Sequence, residues 1–407
     1  MRQILRHLDQ ISPAWFALPI ALTPVLSLIL LKLFGSPGVL IVAATLAALL
    51  IVTYMQPMKF TLGVPEAALV VFAIAVAIGA AHGGGAGVRM LVLHSFVPFF
   101  LSWVLGRALA RVTGSGETLW WMAVIFLIIS APLGILEAVT RSDVIAYPST
   151  DLVTIGVTDF VRPNGLVATD IDFVLSLTIC VALVLGGSAP PDRSSWVLPI
   201  ALLGSAAIIL SSFRTGWVVL AALWIWWLVK RGWLRWVLVG AAVAAIVFGI
   251  ALLAGVADSA YFQERVTNPS NITARSEVFG ETWDVFVTNP VFGVGLNAFQ
   301  INPLVLSSPS SVNTPHNLWF GAFAELGLLG GLALILIAAV TAHMCWELIR
   351  RNRPLPVGAH GVVWACAVLF PFSLGFQVLS VPVSAMLAGL VMGSVRGLLL
   401  TEDGAKS

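Results

Sequence analysis

Residues 313–331 read NTPHNLWFGAFAELGLLGG. The corner Pro315-His316-Asn317 runs directly into an apolar stretch that continues to residue 342. That stretch exceeds the roughly 20 residues a helix needs to cross a bilayer, yet it carries one carboxylate, Glu325. The rest of the chain repeats the theme. Of 407 residues, 59% are hydrophobic and 10% charged, against about 25% charged in a soluble domain. Within hydrocarbon every backbone N–H and C=O needs an internal partner, which helices supply. The alternating pattern of membrane-barrel strands is absent. The fold class expected is all-α: a polytopic membrane protein.

Window hydropathy places about twelve transmembrane helices, near 14–34, 37–55, 64–81, 90–110, 118–137, 170–187, 195–212, 215–229, 234–256, 317–342, 357–375 and 380–400. The first has no small-residue cleavage site after it and reads as a retained span. With both termini in the cytoplasm, 14 of the 21 basic residues fall on the inner side, six on the outer side and Lys32 within a span, a bias that fits the positive-inside rule. The exceptions on the outer side are Arg89, Arg141, Arg162, Arg214, Arg265 and Arg275, with no Lys among them. Arg keeps its charge and offers a planar fork that grips phosphate through two hydrogen bonds.

The organisation that follows is N-terminal transmembrane helices over 1–137, an outer loop over 138–169, and central transmembrane helices over 170–256. A long structured outer loop over 257–316, C-terminal transmembrane helices over 317–400 and a cytoplasmic tail over 401–407 complete it. Loops this long are usually functional or disordered. Within the second, residues 274–289 read as an amphipathic helix on the outer interface, with Val278, Trp283 and Phe286 on one face and Glu281 and Asp284 on another. Asn289-Pro290 ends it.

The corner at 315–317 has the chemistry of a site. Asn317 is a good N-cap. His316 then sits at the positive end of a helix dipole, which favours the neutral imidazole, a proton acceptor. Free N–H groups at the same helix end attract anions. Glu325, two turns on and about 12 Å along a straight helix, reads as a buried residue that supports helix packing; an ionisable group inside a span faces protein. Arg214, in SSFRTGW (211–217), interrupts two apolar runs and needs a carboxylate or ligand partner. Cys180, Cys345 and Cys366 have neither metal-ligand spacing nor a disulfide pattern.

An Arg after a short Ser-rich corner, a long outer loop with Arg275 and NPVFGVG (289–295), then PHNLW with Glu325 and its glycines, resembles the O-antigen ligase/polymerase (WaaL/Wzy-type) family of membrane glycosyltransferases. The resemblance runs by motif over roughly 160–335. It implies an inner-membrane enzyme with an active site on the periplasmic face. The enzyme would transfer a glycan from undecaprenyl diphosphate to a glycan or glycolipid acceptor, inverting and metal-independent. Arg214 and Arg275 match the family's diphosphate-binding arginines and His316 its essential histidine. Arg162, in VRPNG, resembles the arginine turn before the sixth span. Arg162, Arg265 and Asn317 are expected to help bind substrate. Membrane lipids are expected partners; no cofactor and no nucleic acid are expected. Where the family often shows a His-Pro-Asn-like stretch, this chain has ATDID (168–172).

Two other readings compete. Asp170-Ile-Asp172 is a D-x-D that two carboxylates could turn into a Mg²⁺ or Mn²⁺ site, although the two diverge by about 200° on a helix. A polysaccharide-lipid flippase or other transporter would use broken helices and charges near the midplane; the absence of an internal repeat argues against inverted halves.

Overall fold

The structure, a computed structural model, describes residues 63–83, 91–113, 117–140, 169–186, 191–253, 270–306, 315–350 and 359–404. Short pieces at 18–19, 22–23, 88–89, 152–155, 158–161, 163 and 165–167 are also described. The second expected span, most of the first, Arg162 and Arg265 lie outside the described residues. The helices are α1 (Val64–Gly83), α2 (Val97–Thr113), α3 (Glu117–Thr140), α4 (Asp170–Leu185), α5 (Val197–Leu210), α6 (Arg214–Lys230), α7 (Leu234–Leu253), α8 (Ser270–Thr288), α9 (Leu318–Arg350), α10 (Ala359–Gly375) and α11 (Pro382–Gly404). Among the described residues six helical stretches are long and apolar enough to cross a membrane, and α10 is a shorter apolar helix. The departure from all-α is a small antiparallel hairpin in the 138–169 region. Its strands are β1 (Leu152–Ile155) and β2 (Thr158–Val161), with Leu152 opposite Val161.

The centre of the bundle is α4, whose residues are buried on every side; a helix apolar all round belongs in such a place. It is enclosed by α3, α5, α10 and α11. Its first turn fastens the start of α11: the Asp172 carboxylate accepts the Val383 and Ser384 N–H groups, at 3.3 and 2.6 Å. A helix start has unpaired N–H donors, and Asp172, 0% exposed, satisfies two of them. With one carboxylate of the D-x-D spent this way, the two-carboxylate metal site loses half its ligands.

The tightest pairing is α2 on α11. Gly389, Gly393 and Gly397 recur every fourth residue, so they form one stripe along α11. A Cβ at each would overlap the carbonyl oxygen of Phe99, Trp103 or Arg107 on α2. Small residues let helix backbones touch inside a membrane. Gly393→Leu is therefore expected to destabilise the chain by at least the ~1–3 kcal/mol of core overpacking. Gly240→Leu, with nothing within 4 Å of its Cβ, should leave it unchanged. Heating the solubilised variants before size-exclusion chromatography measures the difference.

At one end of the bundle Glu66 accepts from Arg107 at 2.8 Å and from Arg396 at 3.1 Å. It also caps its own helix by accepting the Gly63 N–H at 2.9 Å. By position these two arginines read as topology signals; they are members of a buried ion network, with Arg107 only 2% exposed.

The opposite end carries the segment that organises the site. Residues 289–306 lie as a strap across α1 and α9, and the strap fits because α9 is broken. At Gly327 the backbone takes φ 65°, ψ −161°, a region that only glycine enters readily. The carbonyls of Ala324 and Glu325 then leave the helix ladder and accept the Val294 and Gly295 N–H groups, at 2.9 and 3.0 Å. In return Leu328 N–H donates to the Pro290 carbonyl at 2.8 Å, and Leu296 N–H donates to Gly79 of α1 at 2.9 Å. Side chains at Gly293 or Gly327 would collide with backbone across this junction.

The break is a reversal. Leu318 and Leu334 line the same two cavities although 16 residues separate them, about 24 Å on a straight helix. The site of a Cβ at Gly331 falls on the Phe323 ring. So the limb 318–326 climbs to an apex under the strap and 328–350 descends beside it. Glu325 therefore sits near the apex, beneath the strap, and is buried. Its carboxylate accepts the backbone N–H groups of Asn297 and Phe299, so its support of packing takes the form of a latch on the strap.

Candidate active site

The reversal leaves the Pro315-His316-Asn317 corner recessed beneath the apex. Asn317 is the N-cap of α9. Its Oδ1 accepts the Trp319 and Phe320 N–H groups at 2.9 and 3.1 Å, and its Nδ2 donates to the Leu374 carbonyl at 2.9 Å. The cap corrects one expectation. An N-cap oxygen and a bound anion compete for the same donors, so this helix end offers an anion its dipole but not those two N–H groups. Asn317, 4% exposed, acts by holding the corner in place.

The corner is tied to the end of α10. Trp319 Nε1 donates to Ser373 Oγ at 3.0 Å, and Gly321 leaves room for both the Gln377 amide and the Pro315 ring. His316 is half-buried.

Arg214 begins α6, is exposed, and makes no ion pair among the described residues. The residue before it, Phe213, stacks on Phe372 at 6.3 Å and meets Phe376 at 4.9 Å. The same end of α10 that holds the His316 corner therefore also seats the start of α6.

The helix bearing Arg275 approaches through two aromatic contacts: Phe279 stacks on Phe320 at 5.3 Å, and Phe286 meets Phe323 at 5.4 Å. Arg275 precedes Phe279 by four residues and His316 precedes Phe320 by four, so these two positions head the packed pair at the same side. The buried face of α8 is Val278, Thr282 and Val285, packed with Phe299, Val305 and Ala324. Trp283, expected on that face, is 54% exposed with Val287, Val291 and Phe292 near it in sequence. The strap covers the stripe formed by positions 278, 282 and 285 and leaves Trp283 outside.

Below the corner a cavity of about 370 Å³ runs along α9 and α10 from Trp319 and Ser373 to Cys345 and Ile349, with an almost wholly apolar lining. Cys345 and Cys366 are free thiols hydrogen-bonded to each other across it. Gly165 (φ 55°) donates its N–H to Glu137 Oε2 at 2.7 Å, which fixes the start of the segment leading to α4. No group of three or more His, Cys, Asp or Glu side chains able to hold a metal occurs among the described residues. Sequence reasoning did not find Gln377 or Phe213. Gln377 carries no spacing signal; Phe213, directly beside Arg214, could have been read as an anchor.

The comparisons with known proteins bear on this region. A search of curated proteins finds no match. A solved structure reported under "Structural coordination of polymerization and crosslinking by a peptidoglycan synthase complex" is similar at 15% identity and a TM-score of 0.46, covering 84% of this chain and 98% of its own. A family model described as O-antigen ligase matches residues 199–335. That stretch holds Arg214, Arg275, the strap, His316 and Glu325, the residues on which the sequence resemblance rests. Residues 199–335 are thus similar to the O-antigen ligase family, and the rest of the chain lies outside that match.

Proposed function

We propose that the chain transfers a glycan from an undecaprenyl-diphosphate carrier to a sugar hydroxyl at the periplasmic face of the inner membrane. The strap end of the bundle is the periplasmic end, and both termini are cytoplasmic. The observation that supports this most is the convergence on the end of α10: the His316 corner and the start of α6 at Arg214 both anchor there, and α8 brings the Arg275 backbone to the same side.

The chemistry suits those side chains. A glycosyl diphosphate has a good leaving group, so its departing charge needs stabilisation more than its oxygen needs a proton. Arg214 and Arg275 supply it, each charge-assisted contact contributing roughly 1.5–3 kcal/mol. His316 takes the proton of the attacking hydroxyl. The new glycosidic bond forms on the face opposite the departing diphosphate, the bond from the anomeric carbon to phosphate breaks, and the configuration inverts. Asn317 holds the corner, and Arg162 and Arg265 assist in binding the donor from the two outer loops. The apolar cavity beside Trp319 accepts part of the carrier's isoprenoid chain.

Arg275→Ala is expected to weaken binding of the lipid-linked donor by roughly 10–100-fold, read by a binding titration in detergent. The transfer itself should proceed at its full rate in EDTA. Loss of activity that Mn²⁺ restores would assign the reaction to a metal.

The broken helix α9 is the one observation that favours a transporter. Purified protein in detergent has no second compartment, so product formation there supports the transferase, and its absence with an intact donor supports the transporter.

A further inference from the structure

At the end of the bundle away from the strap, α6 turns into α7 through a tight corner at Gly232 (φ 73°). Three basic side chains, Lys230, Arg231 and Arg235, fall within six residues there, and each lies over an indole. Lys230 Nζ is 5.4 Å from the Trp226 ring, the Arg231 guanidinium 5.0 Å from Trp227, and the Arg235 guanidinium 5.7 Å from Trp236. The first turn of α10 adds His360, whose ring is 6.5 Å from Trp226 and which feels the charge of Lys230. Lys230 in turn feels Arg231. None of these three cations forms an ion pair with an acidic side chain among the described residues.

A cluster of like charges costs electrostatic energy unless something neutralises it. The indoles hold the cations in place through cation–π contacts without cancelling their charge. With no acidic partner among the described residues, an anion from outside them is what would cancel it. The surface next to the corner says which kind. The faces of α6 and α7 that run from it are exposed and apolar: Ile225, Val229, Leu238, Val239, Val243, Ile246 and Ile250 are each more than 40% exposed. Acyl chains would lie on that face while a phosphate sat among the cations, a combination that free phosphate cannot use.

We propose that Lys230, Arg231, Arg235 and His360 form a seat for the phosphodiester head group of an anionic phospholipid, with Trp226, Trp227 and Trp236 as its floor. The site is distinct from the His316 corner and stands whether or not the transfer reaction is right. It differs from a plain topology signal by being built from two separate parts of the sequence, the α6–α7 corner and the start of α10, with every cation pre-positioned on a ring.

The test is native mass spectrometry of the purified chain released from nanodiscs of equal phosphatidylglycerol and phosphatidylcholine. The wild type is expected to retain phosphatidylglycerol over phosphatidylcholine, with roughly fivefold of that preference lost for each cation removed. The Lys230→Gln/Arg231→Gln/Arg235→Gln variant should then retain both lipids equally. Arg231→Lys, which keeps the charge, should stay close to wild type and guards against a misfolded triple variant. Equal retention of the two lipids by the wild type overturns the proposal. So does a triple variant that elutes as a folded monodisperse species with its preference intact. Displacement of the bound lipid by millimolar glycerol phosphate would reassign the seat to soluble phosphates and overturn it as well.

Discussion

His316→Ala is expected to lower single-turnover glycan transfer by about 10²–10⁴-fold, the range of a positioned general base, while the donor still binds near its wild-type affinity. The two halves of that result follow from the geometry. The corner is held by Asn317 through Leu374 and by Trp319 through Ser373, and neither tether uses the imidazole. Removing the ring leaves both tethers in place and takes away the acceptor for the hydroxyl proton. A variant that transferred at the wild-type rate would strip His316 of its role as base. A variant that lost donor binding as well would make it a ligand for the diphosphate. Asn317→Ala makes the contrast: it frees two N–H groups and a carbonyl, loosens α9, and should lower stability and transfer together.

The second large effect is one of stability. Glu66→Ala is expected to destabilise the chain by about 3–5 kcal/mol, the usual consequence of removing one member of a buried ion pair. Glu66 is 4% exposed and is shared by Arg107 and Arg396. Arg107 is 2% exposed, so water cannot reach in to replace the lost carboxylate. The Gly63 N–H at the start of α1 loses its acceptor in the same step. Thermal denaturation of the solubilised protein measures the loss. Glu66→Ala/Arg107→Met, which removes both members of the pair, should recover a large share of it. Because the network lies at the opposite end from the strap, transfer per folded molecule should be unchanged. A single variant as stable as wild type would mean that the ion network contributes nothing.

Much of the architecture is legible in the sequence because hydrophobic runs of bilayer length leave few alternatives. The helices from α1 onward fall where window hydropathy puts them, and α8 falls where its pattern does. What the sequence hides is the reversal at Gly327. One glycine among the several of ELGLLGG decides it, and its effect depends on a partner 30 residues upstream, the strap, which takes up the carbonyls that the break releases. A linear reading therefore runs one straight helix on past Glu325, whereas the chain breaks two residues after it. The α2–α11 glycine stripe was visible as a four-residue repeat, 389, 393 and 397, and needed only to be read as a helix face. The Glu66 network was not visible, since nothing local pairs residue 66 with 107 and 396. At the candidate site, His316, Asn317, Arg214 and Arg275 stand out from the sequence as charges and caps in apolar surroundings. Gln377 does not, because a lone amide at a helix connection has no distinguishing spacing.

The central claim is that guanidinium groups from separate helices converge with His316 on one diphosphate. The most direct measurement is an electron cryomicroscopy structure with undecaprenyl diphosphate bound. The account predicts density for the diphosphate within hydrogen-bond distance, about 3 Å, of both Arg214 and Arg275, with His316 beside it and the isoprenoid chain entering the cavity at Trp319. Arg214 and Arg275 in separate environments, with the diphosphate elsewhere on the chain, would contradict it.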